Sequence, residues 1–149
     1  MGGSEFPRGS IIQELWVAAR YGLAHVDEEL RTAGVALDEY GFLSFVGVLQ
    51  PVTRTRLSKA SGLRRTTLRD VVARLIERGH VVEQPNPRDG RSTLLTLTPA
   101  GQEIFDRGQP AFGRAMVTLD VALDGRLHEH EEAVRRVRLA LQRLADGEP

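Results

Sequence analysis

The 149-residue chain contains no cysteine, which excludes disulfide bonds, thiolate metal ligands and thiol-based redox sensing. It has no apolar run long enough to span a membrane and no apolar N-terminal segment resembling a signal peptide. Residues 1–10, MGGSEFPRGS, have the composition of a tag or cloning remnant. We therefore expect a soluble, cytoplasmic protein with one hydrophobic core of ordinary size.

The chain also lacks net charge, which by itself offers no attraction to nucleic acid. The charge is nevertheless unevenly distributed. Between Thr53 and Arg91, ten basic residues stand against four acidic ones, so this segment carries +6 and the remainder carries −6. A basic central lobe is typical of a nucleic-acid surface. The alternative is the ordinary charge of solvated helices.

Apolar residues recur at helical spacing over most of the chain, which predicts a mainly α-helical protein. The first helix is ended by Gly34, the second is capped by Asp38 and closed by Pro51, and the third is capped by Thr53. The predicted ranges are Ile11–Thr32, a second helix before Pro51, Arg54–Ala60, Arg65–Arg78 with Gly79 at its end, and Arg126–Leu144.

Two short strands are predicted at Val81–Glu83 and Thr93–Leu97, around a Pro-rich loop with an Asp-Gly pair. Thr98 and Pro99 then form a good helix start, a cap followed by proline at the first position. We expect that helix to kink or break near Pro110, because proline clashes with the carbonyl four residues back.

Two helices joined by a turn at Gly62 and followed by a hairpin predict a winged helix-turn-helix. The second of these helices buries the stripe that starts at Leu68. Its first turns carry side chains that could reach base edges in a major groove, namely Thr66, Thr67, Arg69 and Asp70.

Arg64 and Arg65 stand at the start of this helix, where the helix dipole disfavours cations. Their position is explained if each arginine binds a phosphate or a guanine of DNA. Alternatively, Thr67 and Asp70 form a short capping pattern, and the regular helix begins at Thr67. In both cases the two arginines are exposed and available to DNA.

Residues 53–101 resemble the DNA-binding lobe of the multiple antibiotic resistance regulator (MarR) family. The resemblance lies in DGRSTLLTLTPAG, with Asp89, Arg91, Leu97, Thr98 and Gly101 at the family spacing, and in RLIERGHV. It implies that Arg91 enters a minor groove, where negative potential attracts arginine, and that Asp89 holds this or a neighbouring arginine by a salt bridge. The long flanking helices fit the family's dimerisation region.

We therefore expect a mainly α fold with a small β-hairpin wing. Residues 11–36 form an N-terminal dimerisation helix, residues 37–101 the winged helix-turn-helix lobe, and residues 102–149 the C-terminal dimerisation helices. The predicted partners are double-stranded DNA and a second copy of the chain. The predicted DNA-binding residues are Arg54, Arg64, Arg65, Thr66, Thr67, Arg69, Asp70, Arg74, Arg88, Asp89 and Arg91.

The expected function is transcription regulation, as a repressor of a pseudo-palindromic operator that a small aromatic or anionic effector relieves. An apolar stripe of Val134, Val137, Leu141 and Leu144 fits a dimer interface. In the resembling family, ligands bind between the dimerisation helices and the DNA-binding lobe. The candidate ligand residues are Trp16, Arg20, Tyr21, His25, Phe42 and Phe45, for which ordinary packing is the alternative.

No catalytic motif is present, so we expect neither an enzyme nor a cofactor. Two alternatives remain. The first is a metal-responsive regulator or enzyme that uses His128 and nearby acids, although Glu131 and Glu132 fit a solvated helix face better. The second is a winged helix used for protein contact alone.

Overall fold

The computed structural model describes residues 10–147, so the predicted tag remnant lies outside the described residues except for Ser10. The mainly helical prediction with a small β wing is confirmed. Within the described range the elements are α1 (Ile11–Thr32), α2 (Leu37–Leu49), β1 (Val52–Thr53), α3 (Arg54–Ser61), α4 (Arg65–Glu77), β2 (Val81–Pro85), β3 (Thr93–Leu97), α5 (Pro99–Ala122) and α6 (Leu127–Asp146).

The chain divides into two compact units. The first contains the described residues up to Phe112, and the second begins at Gly113 and contains the end of α5 and all of α6. Across residues 10–147, no single helix has the length and apolar character needed to cross a membrane; only α1 and α2 meet that test, taken together as a pair bent by 96°.

The sheet has three antiparallel strands in the order β1–β3–β2. The hairpin of β2 and β3 runs in register from Val81 opposite Leu97 to Pro85 opposite Thr93. Strand β2 is thus two residues longer than predicted. Strand β1 was not predicted at all: it is two residues long, and Val52 pairs with Leu95, far away in sequence.

The helix-turn-helix agrees closely with its prediction. Thr53 caps α3, which extends one residue further than expected, and α4 begins at Arg65, so the alternative start at Thr67 is wrong. Leu57, Val72 and Leu95 are fully buried beneath these elements. Gly79 follows α4 with φ of 72°, a left-handed conformation that glycine adopts without a steric penalty.

The predicted cap of α2 and the predicted break in α5 are both wrong. Asp38 does not cap α2, because the helix begins at Leu37 and its N-cap residue is Ala36; Asp38 instead lies in the first turn, where a carboxylate still complements the dipole. Pro110 does not break α5. Phe105 and Phe112, on either side of it, both pack against the ring of Tyr40, and this packing outweighs the hydrogen bond that proline removes.

Candidate nucleic-acid interface

Helix α4 begins without a side-chain cap. Its N-cap residue, Arg64, is extended (φ −62°, ψ 149°), its side chain makes no capping hydrogen bond, and the first turn contains no acid. By contrast, Thr53 of α3 accepts a hydrogen bond from the Arg56 N–H at 3.2 Å. Because Arg64 and Arg65 are both exposed, uncompensated positive charge adds to the positive end of the helix dipole at this point. Such a site favours an anion.

A cleft of about 510 Å³ opens beside the start of α4. It is lined by Arg54 and Thr55 of α3 and by Arg65, Leu68 and Arg69 of α4. Three of these five residues are cationic. The helix-turn-helix therefore brings together arginines that lie on two helices and are separated by the turn at Gly62.

Arg54 is held by Glu83 of β2. Its Nε and one terminal nitrogen donate to the two carboxylate oxygens of Glu83 at 2.8 Å each, and the Thr93 hydroxyl also donates to that carboxylate. The hydrogen bonds from Arg54 are the main cause that lowers the pKa of Glu83 to about 2, and those same bonds raise the pKa of Arg54. Arg54 thus joins the base of the wing to the cleft, and much of its charge is neutralised there.

The predicted base-reading residues lie on the exposed side of α4. Leu68, Val72 and Leu75 are buried, while Thr66, Thr67, Asp70 and Arg74 are exposed. Arg69 Nε lies 3.4 Å from the Asp70 carboxylate, and both side chains are about 70% exposed, 74% and 69% respectively. A pair in this setting contributes little stability, so Arg69 can exchange Asp70 for another partner.

The wing presents two exposed arginines, Arg88 and Arg91. The predicted salt bridge from Asp89 to an arginine side chain is not formed within residues 10–147. Asp89 instead accepts a hydrogen bond from the backbone N–H of Arg91, at 3.1 Å, through its Oδ1 atom. The reason is local geometry: a short Asp side chain reaches the N–H two residues ahead more readily than the end of a long neighbouring side chain.

The glycine of the wing motif has a packing role. A Cβ at Gly101 would lie 2.0 Å from the carbonyl oxygen of His80, which accepts a hydrogen bond from the Thr98 N–H. Thr98 also caps α5 by accepting from the Gly101 N–H at 3.1 Å, as predicted, and donates to the Gly79 carbonyl. The motif therefore fastens the start of α5 to the end of α4.

The candidate ligand residues do not share one space. A cavity of about 620 Å³ in the first unit is lined by Leu23, Val26, Leu37, Tyr40, Gly41, Ser44, Phe45, Val48, Leu49, Ala60, Gln109 and Phe112. Of the six candidates, only Phe45 lines it. Arg20 and Tyr21 line a neighbouring open groove that shares Leu23 with the cavity. Trp16, His25 and Phe42 line neither space, although Phe42 contacts Phe45 with ring centroids 6.0 Å apart.

Sequence reasoning missed the residues that hold the arginines in place, namely Glu83, Thr93, Asn86 and Ser92. Glu83 and Thr93 are separated from Arg54 by at least 29 residues in sequence, so only the strand register brings them together. Asn86 was detectable, since Asn followed by Pro is a turn signal. Among the described residues, no group of three or more His, Asp or Glu side chains is placed to hold a metal, so His128 gains no support as a ligand.

The sequence profile of the MarR family matches residues 33–92, which extend from the end of α1 to the wing. This segment, 60 of the 149 residues, is similar to the MarR family. Members of the MarR family are transcriptional regulators and not enzymes, which agrees with the prediction of a non-enzymatic function. No curated protein is significantly similar to the chain in sequence.

Several solved protein structures share the fold of this chain at low sequence identity. NadR in complex with 4-hydroxyphenylacetate has a TM-score of 0.75 and 15% identity, covering 92% of this chain and 98% of its own. The M. tuberculosis regulator MOSR in complex with DNA has a TM-score of 0.71 and 20% identity, covering 89% and 96%. The S. aureus MepR–DNA complex gives 0.69 and 17%, covering 91% and 98%. These similarities confirm the fold.

Proposed function

We propose that this chain is a sequence-specific DNA-binding regulator of transcription of the MarR type. The observation that carries the proposal is a set of four exposed arginines, Arg64 and Arg65 at the start of α4 and Arg88 and Arg91 on the wing. None of the four forms an ion pair within residues 10–147. Cations without carboxylate partners, on two elements of one winged helix, suit a polyanionic duplex. The DNA complexes of MOSR and MepR support this reading.

In this proposal α4 lies in a major groove and the wing reaches an adjacent minor groove. Thr66, Thr67, Arg69 and Asp70 are exposed near the start of α4, where a recognition helix contacts base edges. Arg65 and Arg69 can donate two hydrogen bonds to a guanine, whereas Arg88 and Arg91 respond mainly to groove width. Arg54, which is paired with Glu83, and Arg74 remain proposed phosphate contacts.

The test is electrophoretic selection of duplexes from a random pool, followed by titration of single variants. Arg65→Ala should weaken binding of the selected duplex by more than about tenfold, because a dimer would lose two bidentate contacts of about 1–3 kcal/mol each. Arg107→Ala is the matched control, since Arg107 is an exposed arginine of α5 outside the proposed interface. Failure to enrich any duplex, or equal losses in the two variants, would count against the proposal and favour a protein-contact module.

We also propose that the regulator is a homodimer in the cytoplasm, with residues 11–36 and 102–149 as its dimerisation segments and residues 37–101 as its DNA-binding lobe. Helix α1 exposes Ile12 and Trp16, and α6 exposes Val134, Leu141 and Leu144. Apolar side chains exposed along whole helices indicate a protein interface. A two-fold axis would let two lobes read a pseudo-palindromic operator.

Finally, we propose that a small aromatic or anionic effector relieves repression by binding in the first unit. The cavity beside Tyr40 is walled mainly by apolar side chains, and the adjoining groove supplies Arg20 as a cation. An aromatic ring would occupy the cavity, and a carboxylate would face Arg20. The complex of NadR with 4-hydroxyphenylacetate supports this ligand class. A thermal-shift screen of aromatic carboxylates should give hits that Arg20→Gln weakens, and hits unaffected by that change would argue against this assignment.

A further inference from the structure

The wing tip contains the same three-residue pattern twice. Asn86-Pro87-Arg88 and Asp89-Gly90-Arg91 each place an arginine two positions after Asn or Asp. In both copies the side-chain oxygen of the first residue accepts a hydrogen bond from the arginine's backbone N–H, at 3.1 Å for Asn86 with Arg88 and at 3.1 Å for Asp89 with Arg91. These are two consecutive Asx turns, and each one sets the backbone of an arginine.

Asn86 also ties the tip to the end of the hairpin. Its Nδ2 donates to the Ser92 hydroxyl at 2.9 Å, and its backbone N–H donates to the Ser92 carbonyl at 3.1 Å. Its carbonyl accepts from the Asp89 N–H at 3.2 Å, so the first turn leads directly into the second. The Ser92 hydroxyl and N–H in turn both donate to the Asp89 carbonyl. Every polar atom of the Asn86 side chain is thereby used within the wing.

We propose that Asn86 is a positioning residue of the DNA interface. Its side chain fixes the backbone at Arg88, in the same way that the side chain of Asp89 fixes the backbone at Arg91. This inference rests on the proposed DNA binding. The arginine guanidinium groups stay free for DNA, while the backbone that carries them is ordered before the duplex arrives. A preordered loop loses less conformational freedom on binding, and its affinity rises without any added contact. Asn86 itself makes no contact with DNA in this arrangement.

The distinguishing measurement is affinity for a mixed-sequence duplex at several salt concentrations. Asn86→Ala should weaken binding about tenfold in the dimer, since each wing loses the two side-chain hydrogen bonds that order it. The slope of log affinity against log salt should not change, because every arginine remains. Arg88→Ala should instead make that slope shallower by about one unit per lost phosphate contact. Gln84→Ala is the matched control, because Gln84 is exposed on the same hairpin and its side chain makes no hydrogen bond within the described residues.

A double-mutant cycle tests whether Asn86 acts through Arg88. In an Arg88→Ala background, adding Asn86→Ala should cost less than about twofold, because the group being positioned is already absent. An equal loss in both backgrounds would overturn the positioning role and indicate direct contact or a general structural effect. Equal melting temperatures of wild type and Asn86→Ala serve as the check that the fold is intact. Ser92→Ala is a milder variant, because of the two hydrogen bonds of the Asn86 side chain it removes only the one to the Ser92 hydroxyl.

Amide hydrogen exchange in the free protein tests the role of Asn86 without any DNA present. The Arg88 N–H should exchange faster in Asn86→Ala, and the Arg91 N–H should keep its wild-type rate. An unchanged Arg88 rate would overturn the inference. If wild-type protein binds no duplex, the proposed function fails and this role fails with it. If wild type binds but Asn86→Ala binds equally well, only the role of Asn86 is overturned.

Discussion

Arg54 shows how a charged residue can make a structural contact that the sequence does not predict. In the sequence it is one of ten cations in a basic segment, and it was predicted to contact DNA. In the structure it donates to both oxygens of Glu83 and thereby joins α3 to β2. The sequence does not reveal this pair, because the two residues are separated by 29 positions and meet only through tertiary packing.

The first prediction concerns the pH dependence of this pair. The pKa of Glu83 is lowered from 4.5 to about 2, so its contribution to stability is fully present above about pH 5 and is lost as pH falls toward 2. Glu83→Gln should therefore lower the free energy of unfolding at pH 7 by about 1–2 kcal/mol, a figure reduced for the partial exposure of both side chains. Urea unfolding at pH 7 and at pH 3 measures this difference.

The matched control is Glu103→Gln, because Glu103 is an exposed carboxylate of α5. The gap between wild type and Glu83→Gln should narrow at pH 3, whereas the control should differ little from wild type at either pH. A gap of constant size across this range would mean that the charge of Glu83 does not stabilise the fold.

The second prediction concerns Gly101. A methyl group there would lie 2.0 Å from the His80 carbonyl oxygen, which is backbone and has little room to move. Gly101→Ala should lower the free energy of unfolding by about 2–4 kcal/mol, despite the better helix propensity of alanine. Gly113→Ala is the control, since a Cβ at Gly113 meets nothing within 4 Å, and it should be neutral or slightly stabilising. Thermal unfolding compares the melting temperatures of the two variants, and equal melting temperatures would refute the packing role of Gly101.

At the scale of the element, helices were predicted well because their boundaries depend on nearby residues. The ranges of α1 and α3, the Thr53 cap and the turn at Gly79 all follow from periodicity and local capping. The misses depend on distant residues. Strand β1 exists because Val52 pairs with Leu95, and α5 continues through Pro110 because Phe105 and Phe112, before and after the proline, both pack against Tyr40. No local pattern in the sequence contains this information.

The third prediction separates the wing from the recognition helix. Arg91→Ala should weaken binding to most duplexes and make the salt slope shallower by about two units in the dimer, one per lost contact. Arg65→Ala should instead narrow the difference between the selected operator and a random duplex, because α4 is proposed to read bases. Titrations of both variants against both duplexes at several salt concentrations give the comparison.

Asp89→Ala supplies an internal check on that comparison. It removes the acceptor for the Arg91 N–H but keeps the guanidinium, so it should resemble a milder Arg91→Ala with an unchanged salt slope. None of the three variants should change the melting temperature by much, because all three residues are exposed. Unaltered affinity and slope in Arg91→Ala would remove the wing from the interface.

At the scale of the whole molecule, the fourth prediction concerns assembly. Helix α6 contains no buried residue and exposes Val134, Leu141 and Leu144. A single copy of the chain therefore leaves these apolar side chains in contact with solvent, and a second copy could cover them. Replacing Leu141 and Leu144 by Glu should convert the dimer to a monomer and abolish operator binding together. His130→Glu, an exposed change on the same helix, should leave both intact. Sedimentation equilibrium measures the oligomeric state of each variant. A double variant that remains dimeric would mean that Leu141 and Leu144 do not form the dimer interface.

The central claim is that an electrically neutral chain binds DNA through a lobe of concentrated positive charge. The most direct measurement is the affinity of wild-type protein for its selected duplex as a function of salt. If about half or more of the eight unpaired arginines in a dimer displace counterions, log affinity should fall against log salt with a slope of about −4 to −7. Duplex binding that is absent, or that does not change with salt, would contradict the account.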